Sequence, residues 1–491
     1  MDDNSEKPVD LQGNSTPLME TTPVDEASEP VVEEVAPEVD NPEAVEAPVD
    51  VPTDTPPVYQ ENKGQYMYFI LGGAAVFIIF LIIIIKALFG GGGAKKEITL
   101  SYWGLWEDET LVKPLIDLYK QKNPNITVKY TKMTPENYRE KLIARSKANQ
   151  GPDIFRYHNT WLPEIKEIVA PLPSSIMPAA DFEKTFYPVA QKDLKVGDYY
   201  YGIPLMVDGL VLIYNNNMFK KAGIVSAPST WDDITEIVPK LTVKDQSGNL
   251  ITSGIAIGTS SNVDHFSDIF GLLLLQNGGK LGAVDSAEGT GALEIYRKFA
   301  ESPQGYWNDN MPSSTTAFIQ EKVAMIIAPS WELLTIKAAN PDIDLKVVPV
   351  PSVPGASLVS VSSYWVEGVS RYSANQIEAW KFLRFLSEKE NMTKLYELQS
   401  KVRPFGEPYS RVDLAPLLSQ NEYIGAVVKQ APNFTSVPLV SRTYDNGLND
   451  DIIKYIENAI NSTTQGVSYA EALKTAKAGI TQIFTKYGIT N

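Results

Sequence analysis

The sequence predicts an α/β protein, preceded by one transmembrane helix and a disordered acidic tail. Three observations carry this. From Glu97 onward, short β-branched runs alternate with helical periodicities, the pattern of a largely parallel sheet covered by helices. Before it, Met67–Ile85 is uncharged and apolar, and Ala87-Leu88-Phe89 extends the run past Lys86. About 20 such residues cross a hydrocarbon core of ~30 Å. Finally, residues 1–65 hold 17 acidic and 2 basic residues, whereas the rest of the chain holds 43 and 41.

The tail (1–65) is rich in Pro, Glu, Asp, Val and Ala, a composition unable to bury a core. It reads as a solvated spacer. The apolar run at 66–89 begins too far from the N-terminus for a cleaved signal peptide and reads as an uncleaved anchor. Residues 90–96 are a glycine-rich tether. Lys63 precedes the span, and Lys86, Lys95 and Lys96 follow it. Taken alone, this distribution places the large region in the cytoplasm.

The region after the tether opens with a strand at Ile98–Trp103. An amphipathic helix follows at Asp108–Asn123, with Leu111, Leu115, Leu118 and Tyr119 inward. A strand at Ile126–Tyr130 leads to a helix at Pro135–Asn149 with Tyr138 and Leu142 inward, then to a strand at Ile154–Tyr157. Leu210–Tyr214 is too apolar for a surface strand. Asn215–Asn217 stops it and caps the short helix Met218–Ala222, which Gly223 closes. Thr230 caps a helix at Trp231–Leu241. Helices are expected at Asp264–Asn277, Gly289–Glu301, Ala317–Glu321, Ala374–Lys389, Asp450–Ile460 and Tyr469–Tyr487. Strands are expected at Val323–Ala328, Asp344–Pro351 and Leu358–Val369. On Ala374–Lys389, Ile377, Trp380, Leu383 and Leu386 share one side, which places Trp380 in the core.

Several chemistries are excluded or unsupported. The chain has no cysteine, hence no disulfide, thiolate nucleophile or cysteine metal site. Its only histidines, His158 and His265, make a zinc site improbable. The near-neutral folded part has no basic excess for nucleic acid. There is no Gly-x-Ser-x-Gly elbow, and the glycine-rich tether lacks the Gly-Lys-Ser/Thr ending of a phosphate loop. Carboxylates that could pair as in a glycosidase, such as Glu107 with Asp153 or Glu332 with Glu367, read first as solvated or ligand-binding groups.

The stretch Tyr201–Trp231 contains Tyr-Gly-Ile-Pro, Leu-x-Tyr-Asn, Ala-Gly-Ile and Pro-x-Thr-Trp-Asp in that order. It resembles the extracellular solute-binding proteins of ABC importers, in particular the sugar-binding, maltose-binding-like family. AFIQEKVAMIIAPSW resembles the family's Phe-x-x-Gly-Lys-x-Ala-Met-x-x-x-Gly-x-Trp motif, with Glu321 in place of Gly and Pro329-Ser330 before Trp331. The helix around Trp380 and Arg403-Pro404 also match in character, so the resemblance covers roughly 97–487.

The resemblance implies a two-lobed periplasmic-binding-protein fold with a hinge over 97–491. Lobe 1 would comprise about 97–207 plus a segment after about 365, and lobe 2 about 214–358 plus a C-terminal segment. It implies a binding protein rather than an enzyme, without cofactor or metal. That protein would capture a carbohydrate by hinge closure and deliver it to ABC permease subunits. It also implies an extracytoplasmic domain on a single-pass anchor, against the lysine distribution. Alternatives are another polar solute (a glycerol phosphate or polyamine), a sensor input domain, or a membrane-anchored glycoside-processing enzyme.

A sugar offers apolar C–H faces to aromatic rings and hydroxyls to charged and amide groups. Residues of both kinds at strand ends and loops are therefore the candidates: Trp106, Glu107, Asn159, Trp161, Asp208, Trp331, Glu332, Tyr364, Arg403 and Tyr444. Trp331 occupies the position of the family's sugar-stacking tryptophan. Trp103, Tyr157 and Trp365 read as core, and His158 as a hydrogen-bonded loop histidine. Arg442 and Asp445 read equally as hydroxyl ligands or surface charge.

Overall fold

The computed structural model describes residues 77–81, 96–355 and 358–489. Phe77–Leu81 are helical and belong to a unit separate from Gly92–Asn491. The tail, the remainder of the expected span and nearly all of the tether lie outside the described residues. Among the described residues, no helix is long and apolar enough to cross a membrane.

The larger unit holds two main sheets. The first has five strands in the order Ile126–Lys132, Ile98–Gly104, Ile154–His158, Trp365–Val369 and Ile203–Pro204. Its first three strands are parallel. Trp365–Val369 runs antiparallel to both of its neighbours. Ile154–His158 is buried along its whole length, as a strand covered on both faces must be. The second sheet has Leu210–Asn215 between Met325–Pro329 and Leu345–Val348, all antiparallel. The strand runs one residue past its expected end at Ala328, with Pro329 paired to Leu210 at its last position. Met325–Pro329 is an edge strand, where a proline at the end is tolerated.

Local signals account for most elements. Asp108 accepts from the Thr110 N–H to start the helix Glu109–Lys122. The buried face of that helix is Val112, Leu115, Ile116 and Tyr119, turned by one residue from the expected one. Thr230 and Asp233 form a reciprocal cap on Trp231–Leu241. Asn215 caps Asn216–Lys221, and Gly223 follows at φ +71°. In Gln376–Leu386, Trp380, Leu383 and Leu386 are buried as expected. Ile377 is exposed, because Phe382 and Phe385 complete the packed face instead.

The chain passes between the two sheets along adjacent segments, and this geometry breaks one expected element. Leu358–Val369 is not a single strand. Ser360–Val361 pairs with Phe434–Thr435, and the chain then bends through Ser362–Tyr364 before joining the first sheet. Gly209, on the neighbouring passage, explains how closely these segments approach. A Cβ there would meet the Val361 carbonyl oxygen at 2.4 Å and the Phe434 ring at 2.8 Å. Asp193 ties the region together: Asn159 Nδ2 (2.9 Å), Tyr364 OH (2.8 Å) and Ser436 Oγ (2.6 Å) all donate to its Oδ2.

Candidate functional site

A cavity of about 270 Å³ lies where strand ends of both sheets meet the crossing segments. Four aromatic residues form much of its wall. Trp106 follows the strand Ile98–Gly104, and Trp365 opens the strand opposite His158. Trp331 follows Met325–Pro329 and begins the helix Glu332–Ala339. Tyr444 belongs to the segment before the helix Leu448–Thr464. Trp106 meets Trp365 edge-on at 5.5 Å and Tyr444 at 6.1 Å between centroids. The Arg442 guanidinium lies 5.7 Å over the Trp331 ring.

Polar groups alternate with these rings. Asp208 is buried on the first crossing segment. Its carboxylate accepts from the backbone N–H groups of Gly209 (2.7 Å), Ser330 (3.4 Å) and Trp331 (3.3 Å), so it grips the start of the Trp331 helix. Burial dominates and pushes its pKa up to about 7, against the lowering effect of those donors. Arg403 donates to Glu407 at 2.8 Å. Arg442 pairs with Asp264 at 3.1 Å and Glu332 at 3.3 Å. His158 faces Thr160 Oγ1 at 2.8 Å and Ser363 Oγ at 3.2 Å; burial drives its pKa down to about 3, so it is neutral.

The cavity brings together five of the ten expected residues: Trp106, Asp208, Trp331, Arg403 and Tyr444. The other five do not line it, each for a definite reason. Glu107 turns into the core against Arg156, which also binds Glu367 at 2.6 Å. Burial alone would raise the Glu107 pKa, but Arg156 overcomes this and holds it low. Asn159 and Tyr364 are spent on Asp193. Trp161 is fully buried behind Trp365, ring centroids 5.4 Å apart. Glu332 is buried beneath Trp331, where it meets His265 and Arg442. The carboxylate pairs considered for glycoside cleavage likewise lie off the cavity, since Asp153 accepts from Ser101.

Met206, Leu334 and Glu407 were not expected there, Trp365 was expected in the core, His158 only as a hydrogen-bonded loop residue and Arg442 equally as ligand or surface charge, and all six line the cavity. A signal for one of them was available. In the single strand expected over Leu358–Val369, neighbours would point to opposite faces, which would have ruled out Tyr364 and Trp365 both facing a ligand. Asp193 takes Tyr364 and the cavity takes Trp365.

Two α/β sheets joined by adjacent crossings, with an aromatic and polar cavity between their strand ends, define the class of two-lobed ligand-capturing proteins. Residues 115–408 match the model of the family described as bacterial extracellular solute-binding protein. The chain belongs to that family, which binds solutes rather than transforming them. It is 25% identical over 272 residues to the maltodextrin-binding protein MdxE of Bacillus subtilis, covering 52% of this chain and 61% of the relative. It is 23% identical over 260 residues to a maltotriose-binding protein of Pyrococcus abyssi, covering 50% and 53%. Among solved structures, the sugar-binding protein MalE of Xanthomonas citri superposes with a TM-score of 0.65 at 18% identity, covering 79% of this chain and 98% of that one. A cyclo/maltodextrin-binding protein holding maltotetraose gives 0.64 at 21% identity, covering 80% and 98%.

Proposed function

We propose that this protein captures an uncharged sugar or oligosaccharide and presents it to the permease of an ABC importer. The observation that carries the reading is the cavity wall itself: the rings of Trp106, Trp331, Trp365 and Tyr444 interleave with Asp208, Arg403 and Arg442. Rings of this kind cover the C–H faces of a pyranose, and the polar groups meet its hydroxyls. The names of the maltodextrin- and maltotriose-binding relatives support the same class.

The charge arrangement argues against the other solutes. The charge of Arg403 is already paired with Glu407, and that of Arg442 with Asp264 and Glu332, so neither guanidinium carries an unbalanced charge for a phosphate. A polyamine requires free carboxylates. Here Glu407 is paired, and Asp208 is held by backbone N–H groups.

Lobe 1 is built on the five-stranded sheet, about 97–207 with a segment after about 365. Lobe 2 is built on the three-stranded sheet, about 214–358 with a C-terminal segment. A ligand touching both lobes favours the closed arrangement by its differential affinity. Residues 66–89 anchor the protein in the membrane with the lobes outside. Thermal-shift screening of the full-length protein tests the reading: maltodextrins or mannose oligosaccharides should raise the melting temperature. No shift with any sugar, together with a shift from a charged solute, would sink it.

A further inference from the structure

His265 is fully buried beside the cavity without lining it. Its ring meets the Trp331 ring edge-on at 5.6 Å. Nδ1 lies 2.8 Å from Ser441 Oγ and 3.8 Å from Asp268 Oδ2, and Nε2 lies 3.3 Å from Glu332 Oε1. The Ser441 N–H in turn donates to Asp268 Oδ2 at 3.0 Å. One imidazole thus touches the helix carrying Asp268, the helix that Trp331 begins, and the segment carrying Arg442.

We infer that His265 is a positioning residue of the ligand site, holding Ser441 and Glu332 in place and so seating the Arg442 guanidinium on the Trp331 ring. The inference rests on the cavity being the ligand site. The physical argument is charge balance. Asp268 and Glu332 are both almost wholly buried, and a buried carboxylate requires compensation. Arg442, half exposed, reaches Glu332 but shares itself with Asp264. Without a cation at His265, Asp268 would keep only the Ser441 N–H and the Ser267 hydroxyl, and Glu332 would depend on that one shared guanidinium, which would be drawn from the ring toward it. As an imidazolium, His265 donates from both nitrogens at once, to Ser441 and to Glu332.

The groups facing His265 are Asp268, Glu332, Arg442 and, through Arg442, Asp264. Burial alone lowers the His265 pKa, but the hydrogen bonds and charges of Asp268 and Glu332 outweigh it and raise it to about 9. The raised value fixes the sign. The stabilisation is complete below the ordinary value of 6.5 and is lost as pH rises through about 9.

The test follows the indole N–H resonance of Trp331 in the full-length protein, assigned by its loss in Trp331→Phe. In the wild type without ligand it should shift with a midpoint at about pH 9, and in His265→Gln that transition should vanish. Maltotriose serves as the binding probe. Its affinity should fall about tenfold across the same transition, and His265→Gln should be equally weak and insensitive to pH there. A Trp331 resonance that does not move in the wild type, or titrates identically in His265→Gln, overturns the inference. If the resonance titrates as expected but maltotriose never binds, the sugar reading fails and the positioning role stands. Should His265→Gln not fold, Asp268→Asn must move the midpoint to lower pH by removing one of the two carboxylates that raise it. An unmoved midpoint overturns the inference.

Discussion

Trp331 and Trp380 are both tryptophans on or beside helices, yet physical context gives them opposite tasks. Trp331 is partly exposed at a strand exit, with its ring on the cavity and Arg442 above it. Trp380 is fully buried in the face of Gln376–Leu386. Trp331→Ala should weaken sugar binding by about 2 kcal/mol or more, the scale of a binding hot spot. The ligand-free melting temperature should change little. Trp380→Ala should cost about 3–5 kcal/mol of stability by emptying a core position, with affinity retained at temperatures where the variant is folded. Calorimetric titration and melting of both variants check this together. A large stability loss with unchanged affinity in Trp331→Ala would return that residue to the core.

Two helix caps make the corresponding contrast at the level of elements. Thr230 caps Trp231–Leu241 away from the cavity. Asp445 is buried and accepts from the backbone N–H groups of Gly447, Asn449 and Asp450 at the start of Leu448–Thr464. It stands between Tyr444 and Asn446, which with Arg442 hold left-handed backbone at φ 56°, 46° and 58°. Such conformations are costly for residues other than glycine and persist only where the surroundings enforce them. The Asp445 cap is one such enforcement, and the residues it steadies include two on the cavity wall. Thr230→Ala should therefore lose about 1 kcal/mol of stability and leave affinity unchanged. Asp445→Ala should lose stability and also weaken sugar binding. Chemical denaturation alongside titration measures both, and full affinity in Asp445→Ala would uncouple that cap from the site.

At the scale of the whole molecule, the anchor proposed at 66–89 makes a testable claim about the side of the membrane on which the lobes would lie. The family is extracellular, whereas the lysines around 66–89 pull the other way. Large domains translocate despite such a bias. The chain has no cysteine, so a single introduced thiol reports cleanly. Ser247 is exposed in the turn Asp245–Asn249. In intact cells, a membrane-impermeant maleimide should label Ser247→Cys and spare Ser15→Cys. Labelling of Ser15→Cys alone would reverse the orientation and remove the importer role.

What the sequence determined by itself was local. The α/β class, most strands and helices, the caps at Asn215 and Thr230 and the core place of Trp380 follow from side-chain period and backbone hydrogen bonding, which neighbours in sequence control. Its family motifs also pointed to Trp331. The tertiary structure decided which neighbour in a pair faces the ligand. Trp106 reaches the cavity while Glu107 is drawn inward by Arg156; Trp331 reaches it while Glu332 is held below by His265; Trp365 reaches it while Tyr364 is bound to Asp193. In each pair the deciding partner lies far along the chain. A buried charge or hydroxyl must find its complement wherever the fold supplies one, and no local periodicity encodes where that is.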